Sequence, residues 1–152
     1  MSKITKIWID ADACPKVIKE IIFKTSNRLQ LPVTLVANSN MHIPLTPLIN
    51  LVTVAQGADV ADTYIVEHVT PSELVITADI PLANFIVEKG ALAINPRGEI
   101  YTEENIGEAL AMRNFMQDLR DGGMTLGGPD SFGPKDKAAF ANALNSLLAQ
   151  NR

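Results

Sequence analysis

IWIDADACPKVI, residues 7–18, sets an apolar run, two aspartates, the chain's one cysteine and a proline side by side. Ile7, Trp8 and Ile9 are apolar at consecutive positions, as in a strand covered on both faces of a parallel sheet. Pro15 suits the first turn of a helix, and Val17, Ile18, Ile21 and Ile22 follow at helical spacing. The stretch therefore reads as a buried strand handing over to a helix, with Asp10 and Asp12 at the junction. In an extended segment, positions i and i+2 face the same side. The carboxyl end of a strand is also where open α/β sheets hold their ligands.

Outward from this junction the same alternation recurs. ITKIWI (4–9), VTLVA (33–37), LVTVA (51–55), ELVIT (73–77) and ALAI (91–94) read as strands. Helices are expected over 59–69 and over 81–89, the latter stopped by Gly90 as a C′ residue. A long helix starts near Thr102, whose Thr-Glu-Glu-Asn opening suits an N-cap and the helix dipole, and runs to Asp121. After a Gly/Pro-rich loop over 122–134, a final helix carries Phe140, Leu144, Leu147 and Leu148 as a stripe. The pattern predicts an α/β fold, a three-layer sandwich around a mainly parallel sheet of about five strands, with C-terminal helices from about residue 103. At 152 residues one domain is expected, with a sizeable core.

Composition narrows the class. Hydrophobic residues make up 47% and charged residues 20%, ordinary for a globular protein. A net charge of −4 argues against a basic coat for nucleic acid, though not against an enzyme that grips a few phosphates. One cysteine excludes an intramolecular disulfide and fits a reducing cytoplasm. The opening MSKITKIWID lacks the apolar core of a signal peptide, and no apolar run nears the ~20 residues of a membrane span. A cytoplasmic protein without membrane contact is the expectation.

Acids recur at other junctions. LVITAD ends an apolar strand on Asp79, and QGADVADTY places Asp59 and Asp62 on one helix face near its start. Capping is the plain alternative for Asp59, Asp62 and Asp79, as a turn is for Asp10 and Asp12. If the five converge, their repulsion calls for a cation, and an all-oxygen set selects Mg²⁺ or Mn²⁺ over zinc. Such a site activates water and neutralises a phosphodiester.

Cations supply candidate partners. In the 103–121 helix, Ile106, Ala109, Leu110, Met112, Met116 and Leu119 define a broad apolar face with Arg113 inside it. A guanidinium there needs a carboxylate or phosphate, so Arg113 is a candidate catalytic group as well as a phosphate ligand. Arg97 in NPRG and Lys16 beside the first junction are further phosphate candidates. Asn38, ending the second strand, is placed to contact the first junction. Cys14 sits near a helix start, which lowers a thiol's pKa, yet reads best as a small packed residue.

DADACP, VAN, GADVADTYI, TADIPLA, NPRG and the closing GGP…F…D occur in that order, and together they resemble the YaiI/YqxD family over essentially the whole chain. That family looks related to PIN (PilT N-terminus) nuclease domains, which implies a parallel sheet with an acidic metal site. By this resemblance Asp10 matches the acid ending the first strand and Asp79 the acid after the fourth, with Asp59 and Asp62 as helix-borne acids. Asp12 and the long final helix with its Gly-rich loop depart from the pattern. The implied activity is metal-dependent cleavage of RNA or DNA, with Asp10 and Asp79 as catalytic acids; read from the residues themselves, Asp12 is a further ligand or base for water and Arg113 a stabiliser of phosphate charge. IWIDADAC also resembles the Asp-x-Asp opening of haloacid-dehalogenase-like phosphohydrolases, with Asp10 as nucleophile and Thr77 as second motif. A non-catalytic metal- or nucleic-acid-binding module is the third possibility.

Overall fold

The computed structural model describes residues 3–57, 59–127 and 131–150. Six strands form one sheet: β1 (Lys6–Asp10), β2 (Val33–Ala37), β3 (Ile49–Thr53), β4 (Glu73–Ile76), β5 (Leu92–Ile94) and β6 (Ile100–Tyr101). Their order is β3-β2-β1-β4-β5-β6, parallel throughout except for β6, which runs antiparallel to β5. β1 is central: Ile9 stands level with Leu35 on one side and Ile76 on the other. The helices are α1 (Lys16–Leu29), α2 (Val60–His68), α3 (Ile80–Glu88), α4 (Glu103–Asp121) and α5 (Pro134–Gln150).

Alternation along β1 divides the core between the two faces of the sheet. Ile7 and Ile9 point to one face and meet Ile18 and Ile22 of α1 and Phe140, Leu144 and Leu147 of α5. Trp8 points to the other and joins Ile65 of α2, Leu82 and Ile86 of α3 and Ile106 of α4. Helix–sheet–helix layering is thus as the strand pattern predicted, and α5 is an integral wall of the first core. Strand order reverses beside β1, with β2 and β3 on one side and β4 and β5 on the other. The gap between the carboxyl ends of β1 and β4 is the crevice where a sheet of this kind accepts a ligand.

Several expectations need correction. β6 was not foreseen, because two residues carry no periodicity. β3 begins at Ile49 and ends at Thr53, two residues earlier than 51–55, because Ile49 pairs with Val33 and fills the core. The apolar face of α4 is largely unburied: only Ile106 is buried, and Met112 and Phe115 are each 57% exposed. At 1.5 Å per residue α4 is ~28 Å long, whereas α3, against which it packs, spans only ~14 Å. Its distal half, including Arg113, runs past that support.

The β5–β6 hairpin is fixed by the NPRG turn. The Asn95 side-chain oxygen accepts from the Arg97 and Glu99 amides, and Gly98 takes φ 92°. A Cβ at Gly98 would lie 2.7 Å from the carbonyl carbon and oxygen of Ala139, so the turn seats directly on the α5 backbone. Arg97 seals that contact, its Nη1 donating to Asp136 Oδ2 at 2.9 Å and its guanidinium lying over the Phe132 ring. No helix among the described residues is long and apolar enough to cross a membrane.

Candidate active site at the carboxyl edge of the sheet

Asp10 ends β1 half-buried, and a buried threonine from the neighbouring strand holds it. Thr77, which follows β4 and is 1% exposed, donates its hydroxyl to Asp10 Oδ2 at 2.9 Å. The same hydroxyl accepts the Asp79 amide at 3.0 Å. One side chain therefore locks the two acidic junctions together across the crevice. Asp79 caps α3 through Oδ1, which accepts the Leu82 amide at 2.9 Å. The capping reading of Asp79 is correct for that oxygen.

Asp10 and Asp12 do not point the same way. The chain turns into a single 3-10 turn over Ala11–Ala13, which breaks the alternation of an extended segment. Asp12 swings toward β2, where its Oδ2 accepts the Asn38 amide at 2.8 Å. The expected contact between Asn38 and the first junction exists, made by its backbone. Asp12 remains near enough for its charge to act on Asp10.

The helix-borne acids complete the group. Asp59 precedes α2 in the left-handed region, φ 64°, and its side chain makes no capping bond. Asp is among the few side chains that tolerate this backbone. Asp62, in the first turn of α2, lies beside Asp79, close enough for the two carboxyls to share a proton. Burial, then the charges of Asp79 and Asp10, then the bond to Asp79 and the charge of Asp59 push its pKa up to about 7. The carboxyl of Asp10 is also raised, first by burial and then by Asp79 and Asp12, with the Thr77 hydroxyl opposing. The structure thus brings Asp10, Asp62 and Asp79 together from β1, α2 and the end of β4, with Asp59 and Asp12 on either flank. Among the described residues no three His, Cys, Asp or Glu side chains already stand at metal-holding spacing. A cleft of about 440 Å³ opens beside Asp59 and Asp62, floored by Val66, Pro81, Leu82 and Phe85.

The arginines fall elsewhere. Arg113 is exposed on the overhanging part of α4, where its Nη1 donates to Asn114, and it is absent from the charges acting on Asp10 or Asp62. Arg97 is engaged by Asp136, a partner 39 residues away that no local pattern reveals. Lys16 opens α1 at the same edge as the acids and is exposed. Cys14 is buried, and burial pushes its thiol up to about 12, overriding the helix terminus; it is a packed, inert group. A dehalogenase-like scheme asks for further acids at this edge, but Asp118 and Asp121 lie exposed on α4. Thr77 is the residue whose importance the sequence understated; its signal was a lone hydroxyl ending an apolar strand.

Residues 8–150 match the family described as uncharacterised BCR, YaiI/YqxD. The chain belongs to the YaiI/YqxD family. A UPF0178 protein of Shewanella baltica is 59% identical to this YaiI/YqxD chain over 145 residues, 95% of this chain and 97% of that one. A UPF0178 protein of Geobacter metallireducens is 56% identical, covering 95% and 94%. One from Maridesulfovibrio salexigens is 55% identical, covering 96% and 97%. No solved structure matches the chain significantly.

Proposed function

We propose that this YaiI/YqxD chain is a metal-dependent phosphodiesterase of PIN-like architecture acting on RNA or DNA. The observation that supports it is the gathering of Asp10, Asp62 and Asp79 from three elements at the switch point of the sheet, where burial and the charge of Asp79 raise the proton affinity of both Asp10 and Asp62. Like charges gathered at a ligand crevice are costly unless a proton or a cation joins them. The donors are all oxygens, which fits Mg²⁺ or Mn²⁺ rather than zinc. Asp10, Asp62 and Asp79 would hold the ion, with Asp59 free of capping duty and able to turn inward. When bound, the cation supplies charge neutralisation at the phosphodiester and a more acidic water.

The chain's own residues do the rest. Thr77 orients the Asp10 carboxylate and, by accepting the Asp79 amide, ties the backbone of the second acidic junction to the first. Asp12 pins the start of the 38–48 loop and is a positioning residue.

The test is incubation of purified protein with single-stranded RNA and DNA and Mn²⁺, with Mn²⁺ binding followed separately by electron paramagnetic resonance. Cleavage that needs Mn²⁺ and falls about 100-fold or more in Asp10→Asn supports the proposal. Unchanged cleavage in Asp10→Asn removes these residues from the mechanism. Mn²⁺ binding without turnover would make the site a binding module.

A further inference from the structure

A second cavity, about 450 Å³, opens between α1 and the loop that leaves β2, lined by Lys16, Lys19, Phe23, Met41, His42 and Pro44, with Glu20 also on its wall. We infer that it is a nucleotide subsite: it holds one phosphorylated base of a single strand whose next phosphodiester reaches Asp10. The inference rests on the phosphodiesterase proposal for its direction, and on this cavity for its chemistry.

Three features converge. Position comes first. Both walls are tied to the acidic junction: Lys16 starts the helix that follows it, and Asp12 holds the amide of Asn38, the first residue of the loop that supplies Met41, His42 and Pro44. Lys19 is close enough for its charge to act on Cys14, which in turn feels Asp10.

Charge comes second. The acids at this edge repel a polyanion, and the chain is anionic overall. Lys16 and Lys19 lie at i and i+3, on one face of α1. Among the described residues neither joins an ion pair; the Lys19 ammonium instead points at the Met41 sulfur, 3.7 Å away. A thioether is a weak acceptor that a phosphate oxygen readily displaces. The start of α1 adds the positive end of the helix dipole in the same place.

Shape comes third. The volume falls within the ~300–1,000 Å³ range of small-molecule sites. Phe23, Pro44 and the exposed ring of His42 offer flat apolar surfaces for a base, the usual partner of an unstacked nucleotide. Glu20 accepts from a base amino group or a sugar hydroxyl. A phosphate on Lys16 and Lys19 with its base on Phe23 would leave the adjoining phosphate free to approach the aspartates.

The experiment measures binding, in EDTA and without turnover, of a fluorescein-labelled single-stranded tetranucleotide in DNA and RNA forms by anisotropy across a salt series. Free nucleoside 5′-monophosphate is titrated in parallel by NMR. Expected is oligonucleotide binding that weakens about 5-fold or more in Lys19→Ala and further in the Lys16→Ala/Lys19→Ala pair, with the salt slope falling by about 0.7 per lysine removed. Lys19→Arg retains binding, Phe23→Ala weakens it without altering the salt slope, and Asp10→Asn binds at least as well as the parent. Lysine variants that bind like the parent, or no oligonucleotide binding at all, overturn the subsite. A free monophosphate that binds as tightly as the tetranucleotide would overturn the strand assignment and leave a mononucleotide pocket. Lysine-dependent binding with no cleavage in Mn²⁺ would sink the phosphodiesterase proposal and leave the subsite standing.

Discussion

Replacing Asp62 by Asn should stabilise this protein, and by an amount that grows with pH. The folded Asp62 carboxyl has a pKa of about 7 against an ordinary 3.8. Below pH 3.8 it is protonated in both folded and unfolded chains and costs nothing. As pH rises from 3.8 through about 7, the unfolded chain releases the proton first, and folding stability declines until the folded carboxyl also ionises. At ~1.36 kcal/mol per pH unit the full penalty would be ~4 kcal/mol, and solvent screening of this half-buried group reduces it to roughly 2 kcal/mol. Asn donates to Asp79 as the protonated acid does but never ionises, so Asp62→Asn matches the parent near pH 4 and exceeds it above pH 7. For a chain of this size, ~2 kcal/mol corresponds to a rise in Tm of ~4–8 °C. The assay is urea and thermal unfolding of both proteins from pH 4 to 8.5 with chelator present, reading the difference between them so that other titrating groups cancel. A variant that is less stable than the parent at pH 8.5, or a difference that does not change with pH, would refute the raised proton affinity that burial and the neighbouring acids give Asp62.

Two further outcomes follow from the scaffold. Thr77→Val removes the hydroxyl that bonds both Asp10 and the Asp79 amide; it should cost ~1–3 kcal/mol and raise the proton affinity of Asp10 further, seen by urea unfolding and by carboxyl NMR titration. Gly98→Ala should lose ~2 kcal/mol or more in the same unfolding assay, because the position has φ 92° and its new methyl would meet the Ala139 backbone at 2.7 Å.

What the chain disclosed about itself depended on how local the cause was. The β1–α1 unit was legible because an uninterrupted apolar run, a proline and a helical stripe are each set within a few residues. The acids at the ends of β1 and β4 were legible for the same reason, since a buried strand that stops on a carboxylate marks the ligand edge of a parallel sheet. The divergence of Asp10 from Asp12 was not, because it depends on a 3-10 turn that the alternation rule cannot anticipate. The ion pair of Arg97 was not legible, because its carboxylate arrives from α5. The stripe on α4 was legible as apolar, but how little of it is buried was not, because periodicity describes a helix and not the length of the one beneath it. Asp59 and Asp62 were open to a capping role until their geometry showed that Asp59 caps nothing and that Asp62 faces Asp79.

That overhang has a consequence of its own. From Met112 onward α4 must persist largely on intrinsic helical preference and its end signals: Gly123 adopts φ 90°, and the amides of Gly123 and Met124 close back on the carbonyls of Arg120 and Leu119. Its outer turns can therefore melt and re-form without disturbing either core, opening far more often than the strands that carry Asp10 and Thr77. The molecule joins a rigid chemical edge to an arm whose shape is negotiable.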